Sequence, residues 1–197
     1  MELEEIRNEI QNSLSKQRYL HSIGTMKCAK ELAKQYHVDE EKAMLVGLTH
    51  DIAKELARET SLNYVQENKL SIDWIELENT SLLHGKIGAD MVKKKYHFSE
   101  EMQQAICYHT TGSPNMDLLA KILFVADKIE ETRKEEVKQL DQKRKIAFLD
   151  IDEAMILLLD QSIQYTIEKS KLIHPSSIET RNRFVNEKRK NSKKETD

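Results

Sequence analysis

The chain has 197 residues, 39% hydrophobic and 33% charged, with a net charge of −3. That suits one domain with a substantial core and gives no electrostatic case for a nucleic-acid partner. Only five Gly and two Pro, against abundant Leu, Ile, Ala, Glu and Lys, argue for an all-α protein.

"LEEIRNEIQNSL" places Leu3, Ile6, Ile10 and Leu14 three or four apart, which predicts an amphipathic helix. This acidic start is not a signal peptide, and no apolar run is long enough to span a bilayer. A second helix begins near Arg18 and runs through "HSIGTMKCAKELAKQY", with a break at His37–Val38. Asp39 is a good N-cap for a third helix, "EEKAMLVGLTHDIAKEL". Thr60 or Ser61 caps "ETSLNYVQENKL", and residues 69–80 carry no clear pattern. A helix then covers about 81–96, Ser99 caps "EEMQQAICYH", and "TTGSPN" at 110–115 is the strongest loop signal.

"MDLLAKILFVADKIEET" is a strongly apolar helix. "RKEEVKQLDQKRK" reads as a solvated face or a loose connection. "DIDEAMILLLDQSIQYTIEKSKLI" reads as the final core helix, stopped by Pro175. The domain is expected over residues 1–184, with 185–197 a polar, basic, frayed tail. Cys28 and Cys107 lie within helical patterns; they are expected reduced and buried, as in a cytoplasmic protein.

One pattern recurs. "LHSIGTMKCAKELAKQYHVDEE" leads to His50, and "LHGKIGADMVKKKYHFSEE" leads to His109. Each unit reads Leu-His, helix, Tyr-His, turn, Glu-Glu, helix, His. Two similar antiparallel hairpins are expected, and the legs match in length within a turn or two. His21 can then approach His50, and His84 can approach His109. His37 and His97 sit at the matching helix ends, where a histidine satisfies carbonyls and favours the dipole.

Any one of the other four histidines alone would read as structural. Converging, with Asp51 adjacent to His50, they form an imidazole–carboxylate set suited to Fe, Mn, Co, Ni or Zn. Asp127 lies in the most apolar helix, where an unpaired carboxylate is costly; it wants a metal or an ion-pair partner such as Lys128. Lys54 is at i+4 from His50, on the same predicted helix face, and can reach a phosphate oxygen or remain a surface lysine. Arg18, one turn before His21, can serve similarly, and Arg133 is a phosphate candidate six residues beyond Asp127. Thr110, Thr111 and Gly112 offer hydroxyls and backbone N–H groups for phosphate.

His21, the pair His50–Asp51 and the distant Asp127, with "HDIAK", resemble the H…HD…D signature of the HD-domain metal-dependent phosphohydrolases. "RYLHS", "LLHGKIGA", "CYHTTG", "ADKIEETR" and "LIHPSSIETRNRF" narrow this. Over about residues 15–184 the chain resembles the bacterial HD-domain symmetrical bis(5′-nucleosyl)-tetraphosphatases. "HDIAK" has Ala53 where HD proteins frequently have Gly.

The resemblance implies a single HD-domain helical bundle with the metal site in its core. It implies His21, His50, Asp51 and Asp127 as primary ligands of a transition metal, iron foremost. His84 and His109 would hold a second ion with Asp51 bridging, or serve phosphate contact or proton transfer. Asp51 and Lys54 are read as the catalytic pair. The expected substrate is a nucleotide polyphosphate, diadenosine tetraphosphate, cleaved to two ADP, with ADP or GDP as product-like ligand. His174, Ser176 and Arg181 are expected to close over the base or ribose, the alternative being a capping turn. A homodimer is compatible with this reading. The competing readings are another nucleotide-directed HD phosphohydrolase, or a non-catalytic nucleotide- and metal-binding sensor.

Overall fold

In the computed structural model, residues 3–133 and 136–194 are described, and every regular element among them is helical. The chain runs α1 (Leu3–Ser13), α2 (Lys16–Gln35), α3 (Glu40–Thr49), α4 (Arg58–Glu67) and α5 (Trp74–Glu78). A short 3-10 turn at Thr80–Leu82 precedes α6 (Leu83–Tyr96). Then come α7 (Glu100–Tyr108), α8 (Leu118–Ile129), α9 (Val137–Leu149), α10 (Ile151–Glu168) and α11 (Pro175–Lys194).

Helix α8 is the axis of the bundle. Its sequence "LLAKILFVADKI" is apolar nearly all round, as a helix enclosed by others must be. Leu119, Ile122, Leu123, Phe124, Val125 and Ile129 are buried. It packs against α2, α3, α7 and α10. Burying each such side chain stabilises the fold by roughly 1.5–3 kcal/mol.

The two hairpins form as the repeat predicts: α2 packs on α3, and α6 on α7. In each, the histidine after the Tyr is left-handed, His37 at φ 57° and His97 at φ 56°. Small residues set the helix spacing. A Cβ on Gly47 would lie 2.8 Å from the Met26 backbone, and one on Gly85 would lie 2.8 Å from the Cys107 carbonyl oxygen. The glycines therefore let each pair of legs close at the histidine end.

Five expectations are corrected. Helix α3 stops at Thr49, and residues 51–55 are consecutive turns, closed by i→i−3 bonds such as Lys54 N–H to the Asp51 carbonyl at 2.9 Å. The cap of α4 is Ala57, with no side-chain bond, rather than Thr60 or Ser61. Residues 137–149 form a helix whose Ala147 is fully buried, rather than a loose connection. Pro175 starts a helix instead of ending the last one, because its fixed φ and missing N–H suit the first helical position. The polar run expected to fray from residue 185 thus continues as helix to Lys194; residues 195–197 lie outside the described residues.

Candidate metal centre

The histidine ends of both hairpins meet beside α8. His21 on α2 and His50 at the end of α3 place their Nε2 atoms 3.2 Å apart. His84 on α6 and His109 after α7 place theirs 3.0 Å apart. The Asp51 carboxylate lies between the pairs. Its Oδ2 is 3.4 Å from His50 Nε2 and 3.7 Å from His21 Nε2. Its Oδ1 is 3.3 Å from His84 Nε2 and 3.7 Å from His109 Nε2. Asp127, projecting from α8, puts Oδ1 3.0 Å from His21 Nε2 and 3.6 Å from His50 Nε2.

The rings are oriented from behind. Nδ1 of His50 donates to the Gly47 carbonyl at 2.8 Å. Nδ1 of His84 and of His109 donate to the carbonyls of Ser81 and Ile106, each at 2.6 Å. A carbonyl only accepts, so Nδ1 carries the proton and Nε2 faces the cluster. His21 differs: its Nδ1 meets Glu130 Oε1 at 3.0 Å. Glu130 is fully buried and also accepts from the backbone N–H and hydroxyl of Thr132, both at 2.7 Å. A carboxylate behind a histidine in this way fixes the ring and raises its basicity toward a metal.

The electrostatics follow from burial and proximity. Burial opposes charge on His50, yet Asp51 and Asp127 beside it push its pKa up to about 10. Burial also opposes ionisation of Asp51, but His50, His109 and His84 hold it far below the usual carboxylate range. Asp127 is held low against burial by Lys128 and His21. The pKa of His109 is lowered by burial to about 4, and that of His84 is lowered for the same reason. The two ionised carboxylates stabilise positive charge beside them, which here is the proton on His50 and would equally be a metal ion in its place. The donors are imidazole and carboxylate without thiolate, so the cluster could bind a divalent metal. Two overlapping groups have ligand atoms close enough to share an ion: His21, His50 and Asp127, and His50, Asp51 and His109.

Around this edge stand the cations. Arg18 donates to Asp51 Oδ2 at 2.7 Å. Arg133 Nε donates to the Asp127 carbonyl at 2.7 Å, and its Nη2 contacts both that carbonyl and the carboxylate. Lys54 sits in the turn after α3 rather than on a helix, yet its Nζ reaches 3.4 Å from His84 Nε2, and burial lowers its pKa. Lys128, read from the sequence as the alternative ion-pair partner of Asp127, lies 3.4 Å from Asp127 Oδ2 and also donates to the His109 carbonyl at 3.0 Å. It ties α8 to the end of α7.

The remaining expected residues divide. Thr110 Oγ1 is 3.3 Å from both His84 Nε2 and His109 Nε2. Thr111 lines the adjoining cleft together with His174. Gly112 is left-handed, and its N–H is spent on the Tyr108 carbonyl at 2.8 Å, so it terminates α7 and has no N–H to offer phosphate. Ser176 N–H donates to His174 Nδ1, and it is Ser177 that faces the cleft. Arg181 is turned away, paired with Asp160 at 2.8 Å.

Glu130 escaped the sequence reading. The available signal was its place three residues after Asp127 in the predicted helical run; in the structure it is the extended C-cap residue of α8.

Comparison with known proteins agrees with this geometry. Residues 18–132 match the HD domain family. A Halalkalibacterium halodurans protein named symmetrical bis(5′-nucleosyl)-tetraphosphatase is 37% identical over 89% of this chain and 93% of its own. A Bacillus subtilis protein of the same name is 31% identical over 89% of this chain and 94% of its own. The crystal structure of a predicted HD superfamily hydrolase involved in NAD metabolism from Clostridium acetobutylicum superposes with a TM-score of 0.89. It is 37% identical, with 95% of this chain and 98% of that one covered. The helical hairpins, the His-Asp cluster at their junction and these relatives together place the chain in the HD domain family, beside members named symmetrical bis(5′-nucleosyl)-tetraphosphatases.

Proposed function

We propose that this chain hydrolyses diadenosine tetraphosphate symmetrically into two ADP, using a divalent transition metal held by His21, His50, Asp51 and Asp127. The observation that carries the reading is the Asp51 carboxylate, whose two oxygens each face a histidine pair beside a cationic rim. The names of the relatives over nearly the whole chain support the substrate class. The resemblance to HD phosphohydrolases makes iron the first metal to test, the imidazole–carboxylate donors accommodate Mn, Co, Ni or Zn equally, and His84 and His109 would hold a second ion or serve phosphate contact or proton transfer.

When bound, such a metal lowers the pKa of coordinated water and offsets phosphoryl charge. The protein's own groups do the rest. Arg18 and Arg133 line a cavity of about 970 Å³ that reaches His21, and they neutralise the phosphate chain as it enters. Lys54, close to His84, donates to a phosphate oxygen and stabilises the charge that builds on it. Thr110 offers its hydroxyl on the His109 side. Glu130 and the three backbone carbonyls hold the imidazoles still, so no reorganisation is required at the reacting centre.

Cys28 and Cys107 are free thiols, which suits a reducing cytoplasm. No helix among the described residues is long and apolar enough to cross a membrane.

Incubating the protein with diadenosine tetraphosphate and each metal in turn tests the reading. ADP as sole product is expected. AMP with ATP would place the cleaved bond elsewhere, and tight ADP binding without turnover would make the chain a sensor.

A further inference from the structure

Two clefts open beside the metal edge, one on each half of it. The larger, about 970 Å³, is lined by Leu20, Arg18, Arg133 and His21. The smaller, about 200 Å³, is lined by Thr110, Thr111, Leu172, His174 and Ser177. The larger therefore abuts the His21 half of the cluster. The smaller abuts the His84–His109 half through Thr110, whose hydroxyl is 3.3 Å from both rings. Tyr165, on α10, is common to both linings.

Each cleft also presents half-exposed apolar side chains. Leu20 is 48% exposed, Leu172 45% and Tyr165 56%. Exposed side chains of this kind gathered at a charged rim mark a ligand surface better than a solvated face. Among the described residues the Tyr165 hydroxyl has no hydrogen-bond partner, and the Lys169 ammonium lies 5.8 Å from the ring centroid.

We propose that the smaller cleft is a second nucleoside subsite and that Tyr165 is the aromatic wall between two nucleoside subsites. This rests on the functional reading above and deepens it. A dinucleoside polyphosphate has a nucleoside at each end and a flexible anionic chain between. With one end against Leu20 and Tyr165 and the other against Leu172 and Tyr165, the chain between them runs from the His21 side of the cluster to its Thr110 side. The midpoint of a tetraphosphate then lies over the cluster, which accounts for symmetrical rather than end-on cleavage. The clefts are unequal. The larger encloses a base, whereas the smaller grips its nucleoside through the ribose and the hydroxyls of Thr110 and Thr111.

The test is calorimetry with ADP on the Mn-loaded full chain, paired with kinetics on diadenosine tetraphosphate. Wild type is expected to bind two ADP per chain and Leu172→Glu one. Tyr165→Ala is expected to raise KM for the dinucleotide about tenfold, the scale of one lost base–aromatic stack, with kcat within a few-fold. Tyr165→Phe is expected to match wild type. One ADP per wild-type chain, or an unchanged KM in both Tyr165→Ala and Leu172→Glu, would overturn the two-subsite arrangement. If wild type does not convert the dinucleotide to ADP, the functional reading fails, and the ADP stoichiometry still decides the clefts. Both substituted side chains are about half exposed, so unchanged melting curves separate a binding defect from a folding one.

Discussion

Glu130 Oε1 lies 3.0 Å from His21 Nδ1, and the space its carboxylate fills exists because residue 24 has no side chain. A Cβ on Gly24 would sit 2.1 Å from Glu130 Oε2. Glu130 therefore acts through His21, and its loss should be felt as metal affinity. Glu130→Gln is expected to weaken Mn or Co binding by the apoprotein about 10–100-fold, the usual cost of losing a carboxylate behind a metal-binding histidine. Titration of apoprotein with either metal reads this directly. Unchanged affinity would make Glu130 a packing residue.

Gly24→Ala should produce the same defect from the other side. An alanine within a helix normally gains about 1 kcal/mol over glycine. Here the added methyl must displace a buried carboxylate, and overpacking of that kind costs about 1–3 kcal/mol. A melting temperature below wild type, together with weakened metal binding, is the expected pair of results. A stabilised variant would show that Glu130 has room to move.

Asp51 and Lys54 should separate binding from chemistry. Asp51 touches both histidine pairs, so Asp51→Ala is expected to lose bound metal and turnover together. Lys54 faces the same site through His84 without a carboxylate or free imidazole to offer a metal. Lys54→Ala should keep its metal and lose about 100-fold in kcat, within the range seen when one charge-stabilising donor is removed. Metal analysis of both purified variants, beside their rates, is decisive. A Lys54 variant with full kcat would remove it from the mechanism.

Much of this was legible in the sequence, and the reasons are local. The four histidines announced themselves because a repeat put them at equivalent ends of two hairpins, and the paired left-handed His37 and His97 repeat the symmetry in the backbone. What was hidden depended on tertiary context. "DIAKEL" consists of residues compatible with helix, yet the chain turns at His50 so that Asp51 can face both pairs, a constraint propensity does not carry. "HPSSIET" looked like an ending because Pro175 stops a helix as readily as it starts one. Glu130 is one of several acidic residues in "KIEETRKEE", and only the approach of α2 to the end of α8 buries it.

The thiols give a prediction in pH. Burial pushes Cys107 up to about 11 and Cys28 up to about 12, from an ordinary value near 9. Both are therefore protonated at pH 8 and should react slowly with iodoacetamide in the folded chain and rapidly in denaturant. The linkage has a definite sign. A group whose folded pKa is raised contributes stability that is complete below its unfolded pKa. That contribution is lost as pH rises through the folded value, so stability should decline between about pH 9 and 11. Cys107→Ala should flatten this decline in a denaturant-midpoint series. An equal decline in that variant would assign the effect to other groups.

The division of Asp51 between the two histidine pairs bears on how many ions the cluster would hold. Its Oδ2 faces His21 and His50, whose remaining neighbour is Asp127; its Oδ1 faces His84 and His109, which have no second carboxylate. The two halves are therefore unequal. The His21 half offers two imidazoles and two carboxylates, enough to hold one ion alone, whereas the other half depends on sharing Asp51. Replacing both His84 and His109 by Ala should lower the bound metal from two ions to one and leave the tighter ion in place. Replacing His21 and Asp127 by Ala should release both, because the His84–His109 half would then have to hold an ion with Asp51 as its sole carboxylate. Metal counting on the two double variants after dialysis distinguishes the cases. If wild type holds a single ion and the His84/His109 variant still holds it, those histidines serve the phosphate and not a second metal.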